Sequence, residues 1–239
     1  MWGVFMNPVF QRTARIIGED GVNQLAVKTV AVFGLGGVGS YAAEALVRAG
    51  IGHLIFIDKD VVDFSNINRQ LVADQTTVGQ LKVDVMMARA KRVNKDVDVK
   101  AFPIFFRPED IELLKGLNAD YIIDAIDDVP AKIALACHCE LLGIPLISSM
   151  GTGNRLYPEK LHIADIYHTS VCHLARKMRK ALKARGVRHL KVVYSTEEAR
   201  KIQGEGSTPG SISFVPPVSG MMMAGYVVRA LLGLSLIHI

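Results

Sequence analysis

The chain has 239 residues, 50% of them hydrophobic, enough to bury one large core, and no Pro/Ser-rich linker, repeat or low-complexity block divides it, so a single domain is expected. A formal net charge of +5 admits a polyanionic partner, whereas 3 cysteines are too few for a disulfide scaffold or a four-thiolate zinc ribbon. The opening MWGVFMNPVF has neither a basic n-region nor a long apolar h-region, so no secretory leader is expected and the cytoplasm is the default location.

In chain order, the first strong signal is VKTVAVFGLGGVGS, from Val27 to Ser40. An apolar, β-branched run predicts a strand near 29–34, and residues 38–49 carry apolar side chains at helical spacing, with Gly50 placed as a C-cap. Between them Gly34, Gly36, Gly37 and Gly39 form a turn whose backbone N–H groups and following helix N-terminus can approach a polyphosphate. The motif alone serves NAD as readily as ATP. A second strand, near 53–58, ends at Asp58, in the range ~20 residues past the glycines where a Rossmann unit places its ribose-binding carboxylate.

Beyond that strand come Asp60, Asn66, Asn68, Arg69, Gln70 and Lys82. Hydride transfer develops little charge at the phosphates, whereas attack on the α-phosphate of ATP builds negative charge that Arg69 and Lys82 can stabilise. Taken singly, each is equally a solvated surface cation. Helices are predicted at 78–93, 108–117 and 130–142, and strands at 97–104 and 121–126. The last of these strands ends in DAIDDV, which leaves Asp124, Asp127 and Asp128 at the carboxyl edge of the sheet, where open α/β sheets bind ligands. Asp128 is read as the cap of the next helix and Asp127 as a ligand for Mg²⁺ or nucleotide.

After a strand at Leu146–Met150 the spacing loosens. Strands near 161–165 and 190–195 are expected to extend the sheet. Between them Arg176, Lys177, Arg179, Lys180, Lys183, Arg185, Arg188 and Lys191 crowd one stretch without an acid, against an apolar side of Leu174, Met178 and Leu182. Such a helix is either a solvated basic face or a surface for RNA phosphates. Lys201 to Gly210 has the composition of a mobile loop, and the apolar run from Val218 to Leu234, interrupted by Gly220, Gly225 and Arg229, is read as a buried helix rather than a membrane anchor. The expected fold is α/β and Rossmann-like: a mostly parallel sheet, helices on both faces, extended by C-terminal strands.

Taken together, GLGGVGS, Asp58-Lys59-Asp60, SNINRQ, TVGQLK and DAIDD resemble the ubiquitin-activating-enzyme-like superfamily, which includes the ThiF and MoeB adenylyltransferases. The resemblance implies binding of Mg²⁺ and ATP and adenylation of a carboxylate with release of pyrophosphate. It implies Gly36 and Gly39 as phosphate-loop residues and Asp58 as ribose ligand, beside which Gly34, Gly37, Asp60, Asn66 and Asn68 are read as further candidates for nucleotide contact. It implies Arg69 and Lys82 as phosphate contacts and Asp127 as the magnesium-associated aspartate. FQRTARIIGEDGVNQL is similar to the superfamily's N-terminal helical region, from which Arg12 or Arg15 could reach the ATP of a neighbouring subunit, so a homodimer is expected.

SSMGTGNRLYPEKLHIADI, LARKMRKALKARGV, KVVYSTEE and GSISFVPPVSGMMMAGYVV are similar to the tRNA threonylcarbamoyladenosine dehydratase branch of that superfamily, over Phe10 to Leu234. The branch implies a nucleotide-binding half at about 25–150 and a substrate half at about 151–234, with tRNA contacts from Arg176, Arg179, Lys180, Lys183 and Arg185. Where the branch commonly reads Asp-Pro, this chain has Cys172-His173, and Ser235 to Ile239 match no known pattern. Cys137 and Cys139 are read as core thiols, and Cys172 as either core or an activated nucleophile. No structural zinc is expected. The alternatives are activation of the C-terminus of a small sulfur-carrier protein, against which the missing CxxC pairs argue, and a non-catalytic ATP- and RNA-binding scaffold; a sulfur-transfer partner stays open.

Overall fold

The computed structural model describes residues 7–201 and 208–234. Among these residues seven strands form one sheet: β1 (Thr29–Phe33), β2 (His53–Ile57), β3 (Asp98–Phe102), β4 (Tyr121–Asp124), β5 (Leu146–Ser149), β6 (Leu161–Asp165) and β7 (Lys191–Ser195). Their order is β3-β2-β1-β4-β5-β7-β6. All neighbours pair in parallel except β6, which runs antiparallel along β7 at one edge. The helices are α1 (Gln11–Ala26), α2 (Gly39–Ala49), α3 (Lys82–Val93), α4 (Ile111–Leu117), α5 (Val129–Leu142), α6 (His173–Lys183) and α7 (Val215–Leu231).

The period of two along each strand decides which helices cover which face. Val30, Val32, Leu54, Phe56 and Ile123 point to the side of α1, α2, α3 and α7, while Ala31, Phe33, Ile55, Ile57 and Ile122 meet α4, α5 and α6. The strands are apolar on both faces because both are covered. Each fully buried side chain of the size of Phe33 or Phe56 contributes ~1.5–3 kcal/mol by leaving water.

The predicted strands and helices occur in the predicted order, with shifted ends. The strand expected at 97–104 stops at Phe102, and the helix expected from 108 begins at Ile111. The helix expected from 78 begins at Lys82, because Gly79 turns back with φ +84 and its N–H donates to the Val62 carbonyl. α7 starts at Val215 with prolines in its first turn, where their missing N–H groups leave no helical bond unmade. It crosses α2 so closely that a Cβ at Gly220 would stand 2.2 Å from the Val38 carbonyl oxygen. Among the described residues, no helix is long and apolar enough to cross a membrane. Of the loop expected from Lys201 to Gly210, residues 202–207 lie outside the described residues, as do residues 1–6 and the irregular end 235–239.

Candidate active site

The strand order reverses between β1 and β4, where the chain leaves β1 for α2 on one face and β4 for α5 on the other. A crevice must open there, beyond the carboxyl ends of the strands. A cavity of ≈ 500 Å³ occupies it, lined by Gly34, Gly36, Gly37, Asp58, Asp60, Asn66, Arg69, Lys82 and Asp127.

The glycine loop is tight for reasons of contact. Gly34 has φ +85, and a Cβ on Gly39 would lie 1.8 Å from the Gly34 carbonyl oxygen. Gly39 thus lets α2 start directly against the strand and does not itself line the cavity. Asp58 fastens this loop: its Oδ2 accepts the Leu35 N–H at 2.6 Å and its Oδ1 accepts the Asp60 N–H at 2.8 Å. Burial pushes the Asp58 carboxyl above its ordinary pKa, outweighing the Leu35 N–H, the Lys82 charge and the Asp60 N–H, which all act the other way.

Lys82 is the first residue of α3, and its buried ammonium lies 2.9 Å from Asp60 Oδ2. Arg69 follows a 3-10 turn at Phe64–Asn66, and its Nη1 donates to the Ser65 carbonyl at 3.0 Å and to Asn68 Oδ1 at 2.9 Å. Asn66 closes the cap of that turn by accepting the Asp63 N–H. Asp127 is exposed at the cavity wall, and Asp128 caps α5 by accepting the Ala131 N–H at 2.8 Å.

Several expected site residues are placed otherwise. Asn68 does not line the cavity; its Nδ2 donates to the Ser211 carbonyl at 3.0 Å and tethers the segment that walls the opening. Arg15, expected to act on the ATP of a neighbouring subunit, is exposed on α1 and does not line this chain's own cavity. Arg179 is a correction to the basic face: its Nη1 turns inward to the Thr169 carbonyl at 2.9 Å, because the α6 N-terminus packs against that turn. Arg176, Lys177, Lys180 and Lys183 stay exposed on α6, and Arg185 lies beyond its end, bonded to the Ala181 carbonyl. Asp124 is buried beneath the cavity instead of facing it.

Sequence reasoning missed the apolar wall of Ile104, Phe105 and Phe106, which Phe106 anchors by an edge-on contact with Phe33 at 5.3 Å. It also missed the far wall, Ser149 to Gly153 with Thr208 to Ser211. Aromatic residues crowded after a strand, in FPIFF, were the available signal for the first; the second comes from loops with no periodic pattern. Cys139 is buried, its thiol pushed up to about 12 by burial, and burial also raises the half-buried Cys137. Cys172 is buried behind Gly151, a cavity residue, without lining the cavity itself.

A doubly wound sheet with a glycine loop and a strand-end carboxylate at its switch point defines the Rossmann-like class of α/β proteins. Within that class the chain belongs to the ThiF family, whose model matches residues 10–238. It is 41% identical to the tRNA threonylcarbamoyladenosine dehydratase of Bacillus subtilis, across 93% of this chain and 94% of that protein. The Escherichia coli protein of the same name is 36% identical, across 83% of this chain and 77% of its own length. The crystal structure of the E. coli dehydratase in complex with ATP superposes with a TM-score of 0.87 at 32% identity, covering 94% of this chain and 93% of that one.

Proposed function

We propose that the protein is an ATP-dependent tRNA threonylcarbamoyladenosine dehydratase, which adenylates the carboxylate of the threonylcarbamoyl group and lets it close into a cyclic product with net loss of water. One observation carries this reading: the glycine loop, Asp58, Arg69, Lys82 and Asp127 share one cavity in a chain that resembles such dehydratases over nearly its whole length. In this reading adenine lies against Ile104 to Phe106, and the ribose hydroxyls meet the remaining lone pairs of Asp58. The triphosphate crosses Gly36 and Gly37 toward Arg69 and Lys82. These cations stabilise charge that grows on the α-phosphate as the carboxylate attacks, in a recess where such contacts are stronger than in water.

The donor set fits Mg²⁺. Among the described residues no three His, Cys, Asp or Glu side chains converge. Of the three cavity carboxylates Asp58 is held by two backbone N–H groups and Asp60 by Lys82, which leaves Asp127 as a hard carboxylate of the kind Mg²⁺ takes together with nucleotide phosphates and water. Bound there, the ion would neutralise phosphate charge, and Asp127 would hold it. The activated carbonyl carbon then has an internal nucleophile close at hand, which removes the entropy cost of a second encounter. The exposed cations of α6 hold tRNA phosphates, Arg15 reaches the ATP of a second copy in a homodimer, and the whole chain acts as one adenylation domain in the cytoplasm.

The test is incubation of the purified protein with ATP, Mg²⁺ and tRNA bearing threonylcarbamoyladenosine, followed by nucleoside mass analysis. The expected result is loss of one water from the modified nucleoside with AMP and pyrophosphate released. ADP as product, or adenylation only of a sulfur-carrier C-terminus, would overturn the reading.

A further inference from the structure

Among the described residues, the most heavily buried charges lie directly under the cavity, and the function above does not use them. Asp124 ends β4 and Lys132 lies in the second turn of α5; both side chains have 0% exposure, with Lys132 Nζ 2.9 Å from Asp124 Oδ2. Ser148 on the adjacent β5 donates to the same Oδ2 at 2.6 Å, and Asp124 Oδ1 accepts the Ile126 N–H at 3.1 Å. The ammonium of Lys132 makes no well-directed hydrogen bond, so its contact with Asp124 is one of charge. Burying two ions is expensive, and a pair of apolar residues of similar size often serves stability as well or better. Stability is therefore a poor reason for this pair.

Its position supplies a better one. The segment between the two charges is the turn that carries Asp127. Asp124 fixes its first residues through the Ile126 N–H, Asp128 fixes its last by capping α5, and the ion pair ties β4 to α5 and closes the ring. Asp127 is the one carboxylate of this turn with no hydrogen bond or ion pair among the described residues, and it stands at the cavity wall. The same turn backs the glycine loop: a Cβ on Gly34 would meet the Ala125 carbonyl oxygen at 2.6 Å. A small shift of the turn would displace Asp127 and disturb the phosphate loop together.

We propose that the buried Asp124–Lys132 pair, held by Ser148, is a positioning device that sets Asp127 against the cavity and thereby governs adenylation. The proposal rests on the reading of Asp127 as the carboxylate that acts on Mg²⁺ and phosphates.

The test removes both charges at once. Lys132→Met alone would strand a buried carboxylate, so the informative variant is Asp124→Asn with Lys132→Met, which leaves no unpaired ion. It is expected to melt close to the parent, yet to lower kcat for AMP formation by about tenfold or more with the KM for tRNA unchanged. Mn²⁺, observed by electron paramagnetic resonance as a stand-in for Mg²⁺, should bind its ATP complex about fivefold or more weakly, since the carboxylate is no longer aimed. In an Asp127→Ala background the same pair of changes should add almost no further loss, because coupled residues are not additive. A folded double variant with parental kcat and Mn²⁺ binding overturns the proposal, as does full additivity with Asp127→Ala. If the double variant does not fold, Ser148→Ala decides by the same measurements: parental values overturn the proposal and weaker Mn²⁺ binding with lower kcat supports it. Parental activity of Asp127→Ala by itself would instead remove the reading of Asp127, and so separates the two failures.

Discussion

At the scale of single residues, Asp58 shows how one side chain can be found in a sequence for one reason and retained in the structure for a second. Its place at the end of β2, ~20 residues past the glycines, is a local pattern and was legible. Its two hydrogen bonds to the Leu35 and Asp60 N–H groups were not, because they depend on where two loops meet in space. Asp58→Asn sets an amide N–H against one of those donors. It is expected to destabilise the fold by ~1–3 kcal/mol and to weaken ATP binding by about tenfold or more, measured by melting and by calorimetric titration. Burial raises the Asp58 pKa, so on acidification it takes up its proton earlier than an ordinary aspartate. ATP affinity should therefore begin to fall at a higher pH than free aspartate would predict, and the Asn variant should lose that slope. For stability the sign is opposite: a raised carboxyl pKa costs stability above it, and that cost is relieved as pH falls through it. The walls from Ile104 to Phe106 and from Gly151 to Gly153 stayed illegible because loops declare no period, and only the folded chain brings them together.

At the scale of elements, strand and helix identities were readable because each apolar face had a period to match, while their ends depended on tertiary bonds. The late start of α3 is the instructive case: helical spacing extends back to Val78, but the turn at Gly79 wins and delivers Lys82 to the cavity as the first helical residue. On α6, Arg179 looked like one cation among many, and only its reach to the Thr169 carbonyl sets it apart. Changing Lys177, Lys180 and Lys183 together to Glu should weaken tRNA binding and flatten its salt dependence by ~0.7–0.9 in log–log slope per lost phosphate contact. Arg179→Ala should leave that slope nearly intact and lower melting instead; binding measured at several salt concentrations checks both. Glu44 joins two helices: from α2 its carboxylate takes Arg89 of α3 at 2.8 and 3.0 Å and Arg48 of its own helix at 2.7 Å. Burial alone would raise its pKa, but the hydrogen bonds from Arg89 and Arg48 more than offset this and hold it below the usual range. Its stabilisation is thus present above the ordinary glutamate pKa, near 4.5, and is lost as pH falls through the depressed folded value. Glu44→Gln should lower stability at neutral pH by ~1–3 kcal/mol and converge with the parent in acid, as denaturant titrations at several pH values would register.

At the scale of the whole molecule, Arg15 is exposed on α1 and does not line its own chain's cavity, and its proposed role is at the ATP of a second copy. Arg15→Ala and Asp127→Ala should each be nearly inactive alone. Mixed and allowed to exchange subunits, they should recover up to about a quarter of parental turnover, since half the dimers are mixed and each holds one intact site. Recovery of nothing would refute a residue supplied in trans. The contact of α7 with α2 has a consequence for how the protein comes into being. Gly220 rests on the Val38 carbonyl, and Pro216 lies against Gly37 and forms part of the cavity wall. During synthesis the glycine loop emerges among the first segments and α7 last among the described helices. A nascent chain that has extruded all seven strands therefore still lacks one side of its nucleotide cleft. The cleft closes on that side only once α7, the last of the described helices, has packed against α2.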